Sequence, residues 1–196
     1  MITKQELEEA RRKAIEYLEK AKIIITEEEK ANMEVVDLGL SDLKHFGLEI
    51  VVYINTKMYC AKELVLFPRQ ICVEHRHPPF DNSPGKQETF RCRWGKVFLY
   101  TEPPLDKPIQ RRPGPGEPGE KSPSLGCIIP EGKEECFTVR YEIILNPGEQ
   151  YTIPPDTLHW FQSGDEGAIV SEFSTQSRDE FDIFTDPAVR RLTVVK

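Results

Sequence analysis

Apolar residues in this chain first recur at helical spacing. Leu7, Ala10, Ala14, Tyr17, Leu18 and Ala21 share one face, and Glu, Lys and Arg fill the other, the pattern of an amphipathic helix. Thr3 and Glu6 form a Thr-x-x-Glu box at its start, so a helix is predicted over roughly 4–22. A short helical turn is predicted within 26–33, and another capped by Ser41 and ended by Gly47. After Gly47 the period shortens. The segments 48–54, 61–67, 69–77, 87–94, 96–101, 136–145, 150–153, 158–162 and 168–175 read as strands. Turn signals separate them, among them Trp94–Gly95, Asn146–Pro147–Gly148 and Ser163–Gly164–Asp165. Many short strands behind one helix predict a mainly β chain, a sandwich or barrel. A helical arm over 1–46 then packs on a barrel over 47–196, the two forming one structural unit. Mixed charges on the helix's polar face favour such packing over a membrane-surface or calmodulin-like role.

A chain of 196 residues, 38% hydrophobic and 30% charged, suits one domain with a real core. No apolar run approaches the ~20 residues that span a bilayer. MITKQELEEARRK carries charge where a signal peptide needs an apolar stretch. The five cysteines show no CxxC pairing, which suggests reduced thiols, and the expected location is the cytoplasm. The net charge of −7 comes without a basic stripe, so no nucleic-acid partner is expected. Residues 102–126, EPPLDKPIQRRPGPGEPGEKSPSLG, break the strand rhythm as a long Pro/Gly-rich loop: a lid, a subunit contact or a solvated connection.

Of four histidines, three fall in the β region. His75 and His77 stand two apart in a strand, so alternation points both to one side. Glu88 follows at the start of the next strand, and His159 arrives on a later one. Three imidazoles and a carboxylate suit Mn, Fe, Ni, Co or Zn and leave positions open for substrate. Lys86 stands two residues before Glu88 and shares its face. A lysine turned into a small barrel is costly unless it is paired or used. Glu172 lies in AIVSEFST on one face with Ala168, Val170 and Ser174. If that face is the interior, Glu172 is a second carboxylate beside the metal and a candidate proton carrier. The other reading turns Lys86 and Glu172 out to solvent.

The flanking residues resemble the two motifs of the cupin barrels. His75-Arg-His77, a spacer and Glu88-TFRCRW-Gly95 match the first; Gly148-EQYTI-Pro154-Pro-Asp156-Thr-Leu-His159 matches the second. There are three departures: a longer spacer, Arg69 where the first motif often starts with glycine, and Asp156 in place of the glycine before the last histidine. Asp tolerates the left-handed conformation better than most residues, so that turn can survive. The stretch VEHRHPPFDNSPGKQETFRCRWGKVFLY, with GEQYTIPPDTLHWFQ, VSEFST and SRDEFDIFTDPAVRR, resembles the cupin D-lyxose isomerase family. The resemblance implies a homodimer that interconverts D-lyxose and D-xylulose, often D-mannose and D-fructose as well. It implies Mn²⁺ (with Co²⁺, Fe²⁺ or Zn²⁺ as alternatives) on His75, His77, Glu88 and His159, and acid–base roles for Lys86 and Glu172. Asp182 and Arg191 are the expected sugar contacts if the C-terminal tail folds over the barrel mouth.

Three other functions use the same ligands. An iron-dependent dioxygenase needs no inward Lys86–Glu172 pair. A phosphosugar isomerase needs a phosphate-binding cluster, for which Arg69, Arg93 and Arg140 are the candidates. A sensor binds metal and sugar without turnover. Within an isomerase, an enediol proton transfer and a hydride shift both fit the ligands.

Overall fold

The computed structural model describes residues 1–103 and 126–196. The candidate lid at 102–126, with its Arg111–Arg112 pair, therefore lies almost wholly outside the described residues. Helix α1 spans Lys4–Lys20, and α2 spans Glu27–Asn32. Both start with full capping boxes: Thr3 with Glu6, and Thr26 with Glu29, exchange side-chain and backbone hydrogen bonds. Nine strands follow. They are β1 (Glu34–Val36), β2 (Leu48–Asn55), β3 (Cys60–Leu66), β4 (Ile71–Arg76), β5 (Glu88–Thr101), β6 (Tyr141–Leu145), β7 (Gln150–Ile153), β8 (His159–Ser174) and β9 (Ile183–Phe184).

The named strands of the described residues all pair antiparallel, and β8 is the hub. One of its edges pairs with β3 and then β4; the other runs along nearly all of β5. The free edge of β5 carries β7 and β6 in turn, while β2 and β1 extend from β3 and β9 from β4. The sheet curls around a core of alternate side chains, among them Ile50, Leu64, Cys72, Phe90, Cys92, Phe161 and Val170.

The outward residues of the same strands, Val51, Val65 and Ile169, meet Ala14, Tyr17 and Leu18 of α1 in a second apolar layer. Tyr17 packs edge-on to Phe67 and Trp94, and its hydroxyl donates to the Glu166 carbonyl. Full burial of a side chain such as Leu18, Val65 or Ile169 contributes about 1.5–3 kcal/mol. The helix is thus tied to the barrel by its apolar stripe.

Several expected breaks are absent or moved, for identifiable reasons. The turn signals at Trp94–Gly95 and 163–165 do not end strands: β5 and β8 run through them. Bulges between Cys92 and Trp94 and between Gly95 and Val97 bend the ladder without interrupting it. Gly95 has φ +73°, and a Cβ there would lie 2.1 Å from the Gly167 carbonyl oxygen, so the two strands cross where only glycine fits. The strand expected over 136–145 begins only at Tyr141. The buried Glu74 carboxylate accepts from the Thr138 and Val139 amides at 2.6 and 2.9 Å, taking donors that a strand partner would otherwise use. Ser41 caps no helix. It sits at φ +55°, its hydroxyl takes a hydrogen bond from the Met1 ammonium, and turns fill the segment up to Gly47. Strands β1 and β9 are too short to leave a period in the sequence. The two departures at glycine positions adopt left-handed backbone, Arg69 at φ +60° and Asp156 at φ +54°, so the chain keeps the glycine geometry without the glycine.

Candidate metal centre

His75 lies in β4 and His77 just past its end, Glu88 opens β5, and His159 opens β8 directly opposite His75 in the ladder. The three imidazoles offer nitrogens that all lie within 4.8 Å of one another. Glu88 Oε1 stands 3.2 Å from His77 Nε2 and 2.8 Å from His159 Nε2. Every ring has its other nitrogen engaged. His75 Nδ1 donates to the Val73 carbonyl at 2.7 Å, His159 Nδ1 to the Thr157 carbonyl at 2.9 Å, and His77 Nδ1 to Asp182 Oδ1 at 2.5 Å. In a neutral imidazole this leaves Nε2 as a lone pair facing the cluster, the orientation that outer hydrogen bonds impose on metal-binding histidines.

His159 is fully buried, and its Nε2 has no hydrogen-bond partner among the described residues despite its closeness to Glu88. A cation between these atoms satisfies that nitrogen and the carboxylate together. The donor set therefore fits a first-row divalent metal.

Burial and charge act differently on each member of the group. Burial and the neighbouring rings hold His75 well below the usual imidazole range, so it is neutral. Burial opposes charge on His77, but Glu88 and the bond to Asp182 outweigh it and raise the pKa to about 9. Burial works against the Glu88 carboxylate too, yet Lys86 and the two imidazoles bring it well below the carboxylate range. Asp182 is itself raised by burial, against the pull of His77. Asp182→Asn weakens the acceptor that orients His77; a metal affinity about 10–100-fold lower is expected, read by competition with a chelator.

Lys86 and Glu172 both face inward. Lys86 Nζ is 2.6 Å from Glu172 Oε1 and 2.8 Å from Glu88 Oε2, and all three side chains are almost wholly buried. Burial alone would discharge the lysine; Glu172, Glu88 and Asp179 instead hold it well above its ordinary range. Ser174 Oγ donates to Glu172 Oε1 at 3.2 Å.

These groups border an inner cavity of about 50 Å³. An outer cleft of about 440 Å³ shares His77, Lys86 and Asp182 with it and opens beside Phe80, Arg178 and Phe181. The C-terminal tail does fold over the mouth. Asp182 lines both spaces from behind His77, and Arg191 lines the inner one while reaching Glu34 at 3.1 Å and Asp179 at 3.4 Å.

Arg69, Arg93 and Arg140 line neither space. Arg69 binds Asp165 and Gly126, Arg93 binds Ser171 on the outer face, and Arg140 binds the Glu134 carbonyl. Arg76 points away from the centre toward Asp156, 3.6 Å off. Phe90 and Trp160 are core residues.

The sequence reading missed Lys62 and Asp179, which lie against Glu172 and Lys86. A signal existed for the lysine: in 61–67 the alternation that buries Leu64 and Leu66 places Lys62 on the same side. Asp179 had none, because it sits on a short 3₁₀ turn, Asp179–Phe181.

No family model matches the chain. Among curated proteins, a D-lyxose ketol-isomerase of Thermofilum sp. is 61% identical over 192 residues, covering 98% of both chains. A D-lyxose/D-mannose isomerase of Thermosediminibacter oceani is 56% identical over 196 residues, covering 100% of this chain and 99% of that one. A D-lyxose ketol-isomerase of Cohnella laeviribosi is 55% identical over 191 residues, covering 97% and 96%. Among solved structures, the L-ribose isomerase of Cellulomonas parahominis superposes with a TM-score of 0.76 at 17% identity, covering 100% of this chain and 98% of that one. The L-ribose isomerase of Acinetobacter sp. DL28, solved with L-ribose, gives 0.76 at 18% identity, with the same coverage. These two share the fold with this chain, a cupin-type barrel. With relatives more than half identical along nearly its whole length, the chain belongs to the D-lyxose ketol-isomerase family of aldose–ketose isomerases.

Proposed function

We propose that this chain interconverts D-lyxose and D-xylulose, and D-mannose and D-fructose, by proton transfer between C1 and C2. One observation carries the reading: the buried Glu172–Lys86 ion pair stands against the carboxylate of the three-histidine, one-glutamate cluster. His75, His77, Glu88 and His159 hold the metal, with Mn²⁺ the first choice and Co²⁺, Fe²⁺ and Zn²⁺ the alternatives. Such a cation polarises the sugar carbonyl and lowers the cost of removing a proton beside it.

The protein groups do the rest. From the aldose, Glu172 takes the C2 proton; the C–H electron pair becomes the second C1–C2 bond, the C1–O1 π pair moves onto O1, and an enediol forms when O1 is protonated, or an enediolate when it is not. Glu172 then returns the proton to C1, where the new C–H bond closes the ketose. Lys86 moves a proton between O1 and O2 or holds negative charge there. Asp182 and Arg191 hold the remaining hydroxyls, and burial of the pair keeps bulk water from the intermediate.

Oxygen activation has no use for the Glu172–Lys86 pair, and no arginine cluster among the described residues lines either space to receive a phosphate. The reading also takes a homodimer from the family resemblance, and a cytoplasmic location from the unpaired cysteines and the charged first residues. No helix among the described residues is long and apolar enough to cross a membrane.

The test is to strip the protein with chelator, restore Mn²⁺, and incubate it with D-xylulose and with D-fructose. D-lyxose or D-mannose is the expected product. No conversion of either ketose with Mn²⁺, Co²⁺, Fe²⁺ or Zn²⁺ would refute the assignment, and oxygen uptake with Fe²⁺ would replace it.

A further inference from the structure

Lys62 is a second buried lysine for which the reaction above has no task. It lies on the inner side of β3, in ladder register with Glu172 of β8, and is only 4% exposed. Removing an ammonium from water costs several kcal/mol unless it is paired. Its Nζ donates to Ser177 Oγ and to Asp179 Oδ2, both at 2.7 Å, and stands 3.9 Å from Glu172 Oε1. The Ser177 hydroxyl donates in turn to Asp179 Oδ1. Asp179 is shared among three cations, with Lys86 at 3.6 Å and Arg191 at 3.4 Å. Glu172 is shared between two lysines, one on each side.

This sharing bears on how Lys86 can work. Lys86 is occupied by Glu172 and Glu88. To serve a sugar oxygen it must loosen from Glu172. Glu172 would then be a buried carboxylate without its nearest counter-ion, an arrangement that is costly and leaves its direction unfixed. A second cation within ion-pair reach removes that difficulty. Lys62 is such a cation, parked on Asp179 and Ser177, groups supplied by the C-terminal tail that closes over the barrel.

We propose that Lys62 is a positioning residue for the isomerisation: it stays beside Glu172 as its ion-pair partner and keeps it aimed at the sugar while Lys86 turns to the substrate oxygen, with Asp179 and Ser177 holding Lys62 in place. The proposal rests on the isomerase reading. Lys62 itself touches no reacting atom and exchanges no proton in the cycle. It makes the C-terminal tail part of the proton-transfer machinery as well as a cover.

The experiment compares the Mn²⁺-loaded wild type with Lys62→Gln, which keeps a donor for Ser177 without the charge, and with Lys62→Arg, which keeps the charge. The conversion of D-mannose to D-fructose is followed with ordinary and C2-deuterated mannose, and bound Mn²⁺ is quantified in each preparation. Lys62→Gln is expected to lower kcat about 10–100-fold, part of a general base's usual contribution, with KM within about threefold. Its isotope effect on kcat should exceed the wild type's, because proton abstraction becomes slower relative to other steps. Lys62→Arg should recover most of the loss.

A folded, Mn²⁺-loaded Lys62→Gln enzyme with wild-type kcat overturns the proposal. So does a loss of rate with an unchanged isotope effect, which marks a structural role. If Lys62→Gln does not fold, Lys62→Arg decides: wild-type kcat and isotope effect uphold the charge role, and a loss beyond about tenfold in folded enzyme ends it. A wild type that turns over no sugar would instead sink the isomerase reading itself, so the two failures are distinguishable.

Discussion

Glu88→Gln is expected to cost the protein its metal and about 10³-fold or more of its kcat/KM, because the several kcal/mol of charge stabilisation that a bound cation supplies is lost with it. Glu88 Oε1 faces the Nε2 atoms of both His77 and His159. The glutamine is nearly isosteric, so the barrel should fold. It cannot, however, offer two anionic oxygens, and its amide presents N–H donors where lone pairs converge. It also leaves Lys86 with one fewer carboxylate partner. Metal analysis after dialysis and steady-state kinetics check this together. A Gln variant that keeps a full complement of Mn²⁺ would remove Glu88 from the ligand set. Stripping the wild type with chelator should abolish activity to the same degree, and adding Mn²⁺ back should restore it in the wild type alone.

Glu172→Gln should separate chemistry from metal binding. The expected result is a kcat lower by about 10²–10⁴-fold, the usual worth of a positioned acid–base group. Metal content should be unchanged, because Glu172 belongs to no ligand group: its oxygens contact Lys86, Lys62 and Ser174. The structure should tolerate the change. The amide oxygen still accepts from Ser174, while Lys86 retains Glu88 and Asp179. Turnover of the wild type in deuterated water adds a second reading. Deuterium at C1 or C2 of the product would support a proton carried by a side chain. Full activity in Glu172→Gln would rule out Glu172 as that carrier and bring the hydride shift forward.

The site and the fold were legible in the sequence to different depths. The short apolar, β-branched runs of 48–54 and 61–67 were enough for β2 and β3, and the 3–4 spacing from Leu7 to Ala21 for α1, because both are local signals written in neighbouring residues. His75 and His77 could be placed on one side by strand alternation, and the structure brings them together with Glu88 and His159. Lys86 and Glu172 were ambiguous between inside and outside, since alternation assigns a face without saying which face is the interior. The barrel's curl settles that both turn inward.

By itself, then, the sequence determined local matters: where the helix starts, which residues share a strand face, and that three histidines and a glutamate recur at the spacing of a metal-binding barrel. Only the tertiary structure decided what depends on chain segments far apart. Gly95 and Gly167 let β5 and β8 pass close enough to run unbroken, so apparent turns became bulges. Glu74 drew off the amides of Thr138 and Val139 and shortened a strand from a distance of more than sixty residues. The tail carried Ser177, Asp179 and Asp182 back onto Lys62, Lys86 and His77. Local periodicity is written in neighbours along the chain. Charge pairing in a closed barrel is a long-range property, because burial makes an unpaired ion too costly and forces partners to be found wherever the fold brings them.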